Sequence, residues 1–388
     1  MASRRQRFAQ RRKTVGFSQE RLAERLGIDR STVTRWESGE TEPLPWLRPK
    51  LARALQVSIE QLDELLTEAG EPEAVADERL NHVLEHPGSV DLIAVARLRE
   101  RVQELDVRYD RAPSTSLLAD AGQCLGQVSF LRAHAATSRV RRELFAVEAE
   151  AATLMGQLVW DASQRRDHAT ARAYLGQAVE AARQIHEPTA EGLALLRTSF
   201  VALYGEKDPQ AGLVLAMQTA EAVKGNSHVL AGLATLHAAE ARAMLGQRQD
   251  CEQALSRAQV HFEQIGAADA AADLFSPTQH GRLAGSCYLF LNDAGRAEQI
   301  LEGIAQALRD RSKSQAIVLG NLALACIRQK KLDEAAAWLH SAIEVVEMTW
   351  GGGGLGIVFG AGRELRPWRR MPVVQDVYDR LLTLMAAA

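Results

Sequence analysis

The feature that most restricts how this chain can fold is a spacing that recurs. Gly285, Tyr288, Ala297 and Ile304 are separated by three, nine and seven residues, and Ala323, Cys326, Ala335 and Ala342 repeat those gaps 38 residues further on. Small residues at fixed points let two antiparallel helices close tightly, so each copy asks for a helical hairpin and tandem copies ask for a stack of them. Looser echoes centre on Ala171 with Ala178, on Ala211 and on Ala254, giving alanine steps of 40, 43, 43 and 38 residues from Ala171 to Ala335. Nothing from Asp91 onward alternates like a strand. Ala, Leu, Arg, Glu and Gln recur throughout and aromatic residues make up only 5%, a helix-forming set. The expected class is all-α.

Composition removes several function classes. No apolar run approaches the roughly 18 residues a membrane helix needs. The start, MASRRQRFAQRRK, is basic but lacks the apolar stretch of a secretory signal. Cys124, Cys251, Cys287 and Cys326 lie far apart with no CxxC pair. They read as small buried hydrophobes in a reducing cytoplasm, not as a disulfide framework or zinc site. Charge is uneven. Residues 1–70 carry 13 Lys/Arg against 10 Asp/Glu, whereas the remainder carries 33 against 39. Arg4, Arg5, Arg7, Arg11, Arg12 and Lys13 precede any acidic residue. A basic arm on a small head can meet a polyanion.

Within that head, local signals mark short helices. Residues 3–13 read as the first, with Phe8 facing a core, and Gly16 breaks it. Ser18 can cap a helix through Leu26 that stops at Gly27, the usual residue where the chain turns left-handed. Asp29 is placed to cap Arg30 to Glu37, and Trp46–Leu55 and Ile59–Leu66 complete the set. SQERLAERLGIDRSTVTRWESG resembles the core of the Xre/phage-repressor family of helix-turn-helix regulators, and LPWLRPKLARALQVSIEQLDELL resembles that family's fourth and fifth helices. The resemblance implies a five-helix, lambda-repressor-like domain that binds double-stranded DNA.

In such motifs the second helix of the pair lies in the major groove. In a helix begun at Asp29, Val33 and Trp36 share an inward face. Arg30, Ser31, Thr34 and Arg35 are then left toward the groove, Arg30 and Arg35 being the candidates for bidentate contact to guanine. The resemblance further implies a backbone-phosphate contact for Gln19 and a semi-buried salt bridge between Arg12 and Glu37. Trp36 stands where the family usually has a smaller aliphatic residue.

The repeats LALACIRQKKLDEAAAWLHSAIEVVE resemble a tetratricopeptide repeat, although the steps exceed that family's usual 34 residues. The resemblance implies an α-solenoid whose concave face is lined by the first helix of each pair. His237, Glu240, Arg242, Gln279, Arg282, Asn321 and Arg328 are the polar residues on those helices and the candidate effector contacts. The expected organisation is a DNA-binding domain over 1–68, a linker over 69–90 and a helical connector or dimerisation segment over 91–140. Repeats follow over 141–349, then a Gly-rich loop with a C-terminal capping helix over 350–388. His82 and His86, four apart in the linker, lack a third ligand, so no metal is expected. Gly351 to Gly362 lacks the Lys-Ser/Thr of a phosphate-binding loop, and no cofactor is expected. Arg363, Arg366, Arg369 and Arg370 flank Trp368, a cluster suited to an acidic partner or to the acidic body itself.

No nucleophile elbow, P-loop, Ser/His/Asp order or paired carboxylates are present, so the chain is not expected to be an enzyme. A helix-turn-helix head on a tetratricopeptide-like body resembles the ligand-responsive regulators of the Rap/PlcR/PrgX type. The resemblance implies a cytoplasmic, homodimeric bacterial transcription regulator that senses a signalling peptide or small-molecule effector and has no membrane partner. The alternative is a regulator or adaptor whose helical body docks a protein partner, with no small effector.

Overall fold

A computed structural model of the chain describes residues 5–38, 41–44, 47–67, 73–308 and 311–387. Every regular element among them is helical, and none of those helices is long and apolar enough to cross a membrane. Met1–His86 and Pro87–Ala388 pack as two separate units.

The first unit contains α1 (Gln6–Thr14), α2 (Gln19–Leu26), α3 (Arg30–Glu37), α4 (Arg48–Leu55), α5 (Ile59–Thr67) and α6 (Glu73–Glu85). Its turns follow from local chemistry. Gly16 (φ +82°) and Gly27 (φ +69°) take the left-handed conformation that a side chain disfavours. Ser18 Oγ accepts the Arg21 N–H at 3.1 Å, and the Ile28 N–H closes on the Ala23 carbonyl at 3.0 Å, fixing the turn between α2 and α3. Asp29 departs from expectation. It is the residue before α3, but its carboxylate accepts no capping hydrogen bond. Phe8, Leu22, Val33, Trp36, Leu51, Leu55 and Leu62 form the core, with Trp36 buried among them. Trp46 lies outside the described residues. In the segment expected to link the modules, α6 takes up thirteen residues, and the rings of His82 and His86 stack at 4.7 Å.

The second unit is a succession of antiparallel helix pairs. They are α7 (Leu92–Tyr109) with α8 (Leu118–His134), α9 (Ser138–Ala162) with α10 (His168–Gln184), and α11 (Pro188–Phe200) with α12 (Pro209–Ala222). Next come α13 (His228–Met244) with α14 (Arg248–Glu263), α15 (Gln279–Phe290) with α16 (Ala294–Ala307), α17 (Lys313–Arg328) with α18 (Leu332–Thr349), and α19 (Gly352–Glu364) with α20 (Pro372–Ala387). Short polar residues start many of them: Asp91, Thr137, Asp167, Asp208, Ser227, Asp293 and Ser312 each accept an N–H of the first turn.

Small residues sit where each pair closes. Ala171, Gly212, Cys251, Ala297 and Ala335 each lie four positions beyond the residue that starts the second helix. Ala211 and Ala254, picked out by spacing, are therefore displaced from that register by one and three residues. The step into α15 is long because residues 264–278 form an excursion. Its Asp269 returns to accept the Ser227 hydroxyl at 2.6 Å and the N–H groups of His228 and Val229 at 2.7 and 3.1 Å.

Gly212 has a specific reason. A π-helical turn, Val201–Glu206, ends α11 and drives Leu203 against α12, so a Cβ at 212 would stand 2.4 Å from the buried Leu203 Cγ. Alanine gains roughly 1 kcal/mol of helix propensity over glycine. The clash costs about 1–3 kcal/mol. Gly212→Ala should therefore be neutral to destabilising, by up to about 2 kcal/mol as the difference of those two. A clear rise in the urea midpoint would contradict this packing.

The C-terminal segment overturns an expectation. Gly352 to Gly362 is not a loop; it is helical, within α19. Glycine is a poor helix former, yet here the bare backbone is what fits. A Cβ at Gly352 would approach the Asp161 carbonyl at 3.0 Å and Gln164 Cα at 3.1 Å, and one at Gly354 would meet Ala316 Cβ at 2.9 Å. Close packing overrides propensity.

Candidate DNA-binding face and ligand cavity

In the first unit, Val33 and Trp36 turn inward on α3 and leave Arg30, Ser31, Thr34 and Arg35 exposed on its outer side. Arg30 Nε pairs with Glu20 Oε1 at 2.8 Å across two exposed side chains, a contact that water and salt weaken. Arg35 has no side-chain partner among the described residues and is a free cation. Thr34 Oγ1 donates to the Arg30 carbonyl at 3.2 Å.

Behind this face lies a polar strut. Arg12 Nε donates to Glu37 Oε1 at 2.6 Å, both side chains largely buried, and Arg12 also donates to the Phe17 carbonyl at 2.6 Å. Gln19 Nε2 donates to the other Glu37 oxygen at 2.6 Å. One carboxylate thus joins α1, α2 and α3 and sets the angle at which α3 is held. In this arrangement the Gln19 side chain is a strut.

The basic arm is smaller than its sequence implied. Arg5 is buried, donating to the Trp36 and Thr41 carbonyls at 3.3 and 3.0 Å. Arg11 donates to the Leu55 and Gln56 carbonyls at 2.9 and 2.7 Å, covering the C-terminal end of α4. These cations satisfy backbone carbonyls of the head itself. Arg4 and the side chain of Arg7 lie outside the described residues.

In the second unit the inner helices enclose a cavity of about 570 Å³, within the size range of ligand pockets. One side of it is formed where parts of the stack distant in sequence meet. Asp161, at the end of α9, accepts Ser114 Oγ and Lys313 Nζ on Oδ2, both at 2.8 Å, and the Gly352 N–H on Oδ1 at 2.8 Å. Lys313 Nζ also donates to Ser114 Oγ at 2.7 Å and lies 4.2 Å from the centre of the Tyr109 ring. Both charged side chains are buried. The carboxylate faces the N-terminus of α19, where the helix dipole favours a negative charge.

Of the residues anticipated as effector contacts, His237, Glu240, Gln279, Arg282 and Asn321 line this cavity. Arg242 and Arg328 do not. Two positions along an α-helix turn a side chain by about 200°, so Arg242 faces away from Glu240. Arg328 lies about 10 Å beyond Asn321 along α17, where it pairs with Glu364 at 2.9 Å and donates to the Leu289 carbonyl at 2.7 Å. Spacing alone did not reveal Trp160, Arg165, Arg197, Tyr204, Lys207 and Arg363, which also line the wall. Of these, Arg363 lay in the arginine cluster around Trp368, and Arg165 and Lys207 lay at the starts of the loose repeats around Ala171 and Ala211.

One wall is internally satisfied. Tyr204 donates its hydroxyl to Glu240 and meets His237 Nδ1 at 2.8 Å, while Ser286 Oγ donates to Glu240 Oε1 at 2.6 Å. Burial holds the His237 imidazole below its ordinary range, and its Nδ1 lies between the phenol oxygen and Glu240 Oε2, the latter at 3.5 Å. Burial opposes ionisation of Glu240 too, but hydrogen bonds from His237, Ser286 and Tyr204 outweigh it and hold the carboxylate below its ordinary value. Other groups near the cavity are not satisfied: Trp160 Nε1, Arg165 Nε, Arg197 Nε and Gln279 Oε1 are buried without a hydrogen-bond partner among the described residues.

A helix-turn-helix family model matches residues 8–62. The head is a helix-turn-helix domain. No curated protein matches the chain. Among solved structures, the crystal structure of Bacillus thuringiensis PlcR in complex with the peptide PapR7 and DNA is similar at a TM-score of 0.32 and 11% identity, over 79% of this chain and 97% of that one.

Outside the helix-turn-helix domain and the cavity, Glu298, Cys326 and Glu334 bring potential metal-ligating atoms within 4.8 Å of one another. The Glu298 oxygens are occupied by Lys331 Nζ at 2.7 and 2.6 Å and by Gln329 at 2.8 Å. Burial, and then the Glu298 carboxylate, push the Cys326 thiol up to about 12, so it stays protonated and donates to Glu298. A metal would need the thiolate.

Proposed function

We propose that the chain is a transcriptional regulator whose helix-turn-helix domain reads a DNA sequence through α3 and whose second unit senses an effector, a peptide or small molecule, in its cavity. The observation that carries the DNA-reading part is the division of α3. Its apolar side is consumed by the core, while Arg30, Ser31, Thr34 and Arg35 remain available on the outer side. Arginine forks match the O6/N7 edge of guanine, and serine and threonine hydroxyls suit either base type. The Arg12–Glu37–Gln19 strut supports this reading, because base discrimination requires the recognition helix to be held at one angle.

The protein acts in the cytoplasm as a homodimer in this reading. One recognition helix contacts only a few base pairs, and two heads on paired half-sites multiply the affinity of one. Effector binding then shifts the population of arrangements in which both heads reach their half-sites. Sequencing genomic fragments retained by the wild type should yield a motif with two half-sites, absent from fragments retained by Arg30→Ala/Arg35→Ala. Equal retention of unrelated fragments by both proteins at moderate salt would sink the DNA-reading part.

A further inference from the structure

Cations outnumber acids around the cavity, and the acids are already engaged. Asp161 is taken by Lys313, Ser114 and the Gly352 N–H, and Glu240 by Tyr204 and Ser286. Asp110 is the remaining carboxylate of the wall; burial pushes its carboxyl up, against the field of Arg282. Against these stand Arg165, Arg197, Lys207, Arg282 and Arg363. Arg165 has no carboxylate partner among the described residues. Its guanidinium lies over the rings of Trp160 at 4.6 Å and Tyr204 at 5.8 Å, with Nε unbonded. Trp160 is 5% exposed and its indole N–H, a donor only, meets no acceptor. Arg282 makes no side-chain hydrogen bond or ion pair among the described residues. A buried donor left unmade is costly, and a wall carrying several of them beside unneutralised guanidinium groups lacks one thing, acceptor oxygens bearing negative charge.

We propose that the cavity takes an anionic ligand, whose carboxylate or phosphate oxygens are held by Arg165 and the Trp160 indole N–H on one side and by Arg282 on the other. This rests on the reading of the cavity as the effector site and specifies what that effector carries. Guanidinium groups present paired donors matched to both oxyanions, so the shared chemistry is an oxyanion. It is supplied either by a small polyacid or by the carboxylates of a short peptide. Burial, followed by the fields of Arg165 and Arg363, holds the Lys207 ammonium below its usual range. Burial likewise holds Arg282 below its own, against the field of Asp110. An anion among these cations offsets the cost of their burial.

The test uses the full chain. Its melting temperature is followed with citrate, with pyrophosphate and with a short acidic peptide, each against sodium chloride of equal ionic strength and against spermidine. A saturable rise with at least one anion is expected in the wild type. It should be absent or weakened by about tenfold or more in apparent affinity in Arg165→Met and in Arg282→Met, since each removes a charged donor. Circular dichroism should show each variant folded without ligand, so that a lost shift reports the site. Trp160→Phe keeps the ring and loses only the N–H, and should weaken binding by about tenfold. A response to citrate or pyrophosphate identifies a polyacid, and a response to the peptide alone identifies peptide carboxylates.

Equal shifts in wild type and variants mark general exclusion of salts from the surface and overturn the proposal. So do the absence of any shift with the anions and a shift with spermidine alone. DNA affinity measured with the bound anion separates the two ideas. Binding without a change in DNA affinity keeps the anion site and removes the effector reading. A neutral compound that changes both melting and DNA affinity keeps the effector reading and removes the anion site.

Discussion

Lys313→Met should destabilise the second unit by about 3–5 kcal/mol, the usual cost of removing one partner from a buried ion pair. The substitution keeps the length and the apolar stem, so the loss is assigned to the charge. Among the described residues it leaves the buried Asp161 with the Ser114 hydroxyl and the Gly352 N–H for its two oxygens. Asp161→Asn/Lys313→Met should recover part of that loss, because neither charge is then left unpaired; the double-mutant cycle isolates the pair itself. Urea unfolding followed by circular dichroism measures this. A cost below about 1 kcal/mol would place the pair among exposed salt bridges, in contradiction to its burial. The same substitution should weaken whatever binds in the cavity, since the pair holds the end of α9 against the start of α17.

Arg30→Ala/Arg35→Ala should lower affinity for the cognate DNA by about two to four powers of ten. Each bidentate guanine contact contributes roughly 1–3 kcal/mol of discrimination, and 1.4 kcal/mol is tenfold. Both side chains are exposed and neither packs in the core, so the melting temperature should be unchanged. Fluorescence anisotropy across a range of salt concentrations separates the two roles these arginines can play. If they read bases, cognate and unrelated DNA should converge in affinity while the slope of log affinity against log salt holds steady. If they touch phosphates only, affinity should fall for all sequences and the slope should flatten by nearly one unit per arginine.

The helix-turn-helix domain was largely legible because its signals are local. Ser18 at a helix start, Gly27 at a left-handed turn, and Val33 with Trp36 three apart on α3 are each decided within a few residues. Where neighbours in space mattered, legibility fell. Arg5 and Arg11 looked like parts of a basic arm, but the carbonyls of Trp36, Thr41, Leu55 and Gln56 sit within reach only once the head has folded. In the second unit, two helices of a pair must approach closely, and that demand writes small residues into the chain at intervals. The intervals slipped at Ala211 and Ala254 because the π-helical turn and the 264–278 excursion change the count without changing the packing. Of the candidate effector contacts, His237, Glu240, Gln279, Arg282 and Asn321 line the cavity because they sit on inner helices of the pairs; Arg242 and Arg328 lie away from it through rotation and height along the helix.

By itself the sequence determined an all-α chain, a helix-turn-helix head and a body of paired helices, because caps, left-handed glycines, apolar period and small-residue spacing act over short stretches of chain. Tertiary structure alone decided that the inner face closes into a cavity. Asp161 and the Gly352 N–H are 191 residues apart, and no local pattern marks a contact at that separation. It also decided that a run of glycines is a helix: the preference of glycine is against it, and the Asp161 carbonyl, Gln164 Cα and Ala316 Cβ leave no room for a side chain at Gly352 and Gly354. The charge of the cavity follows from the same folding, which gathers arginines scattered through the sequence around one space.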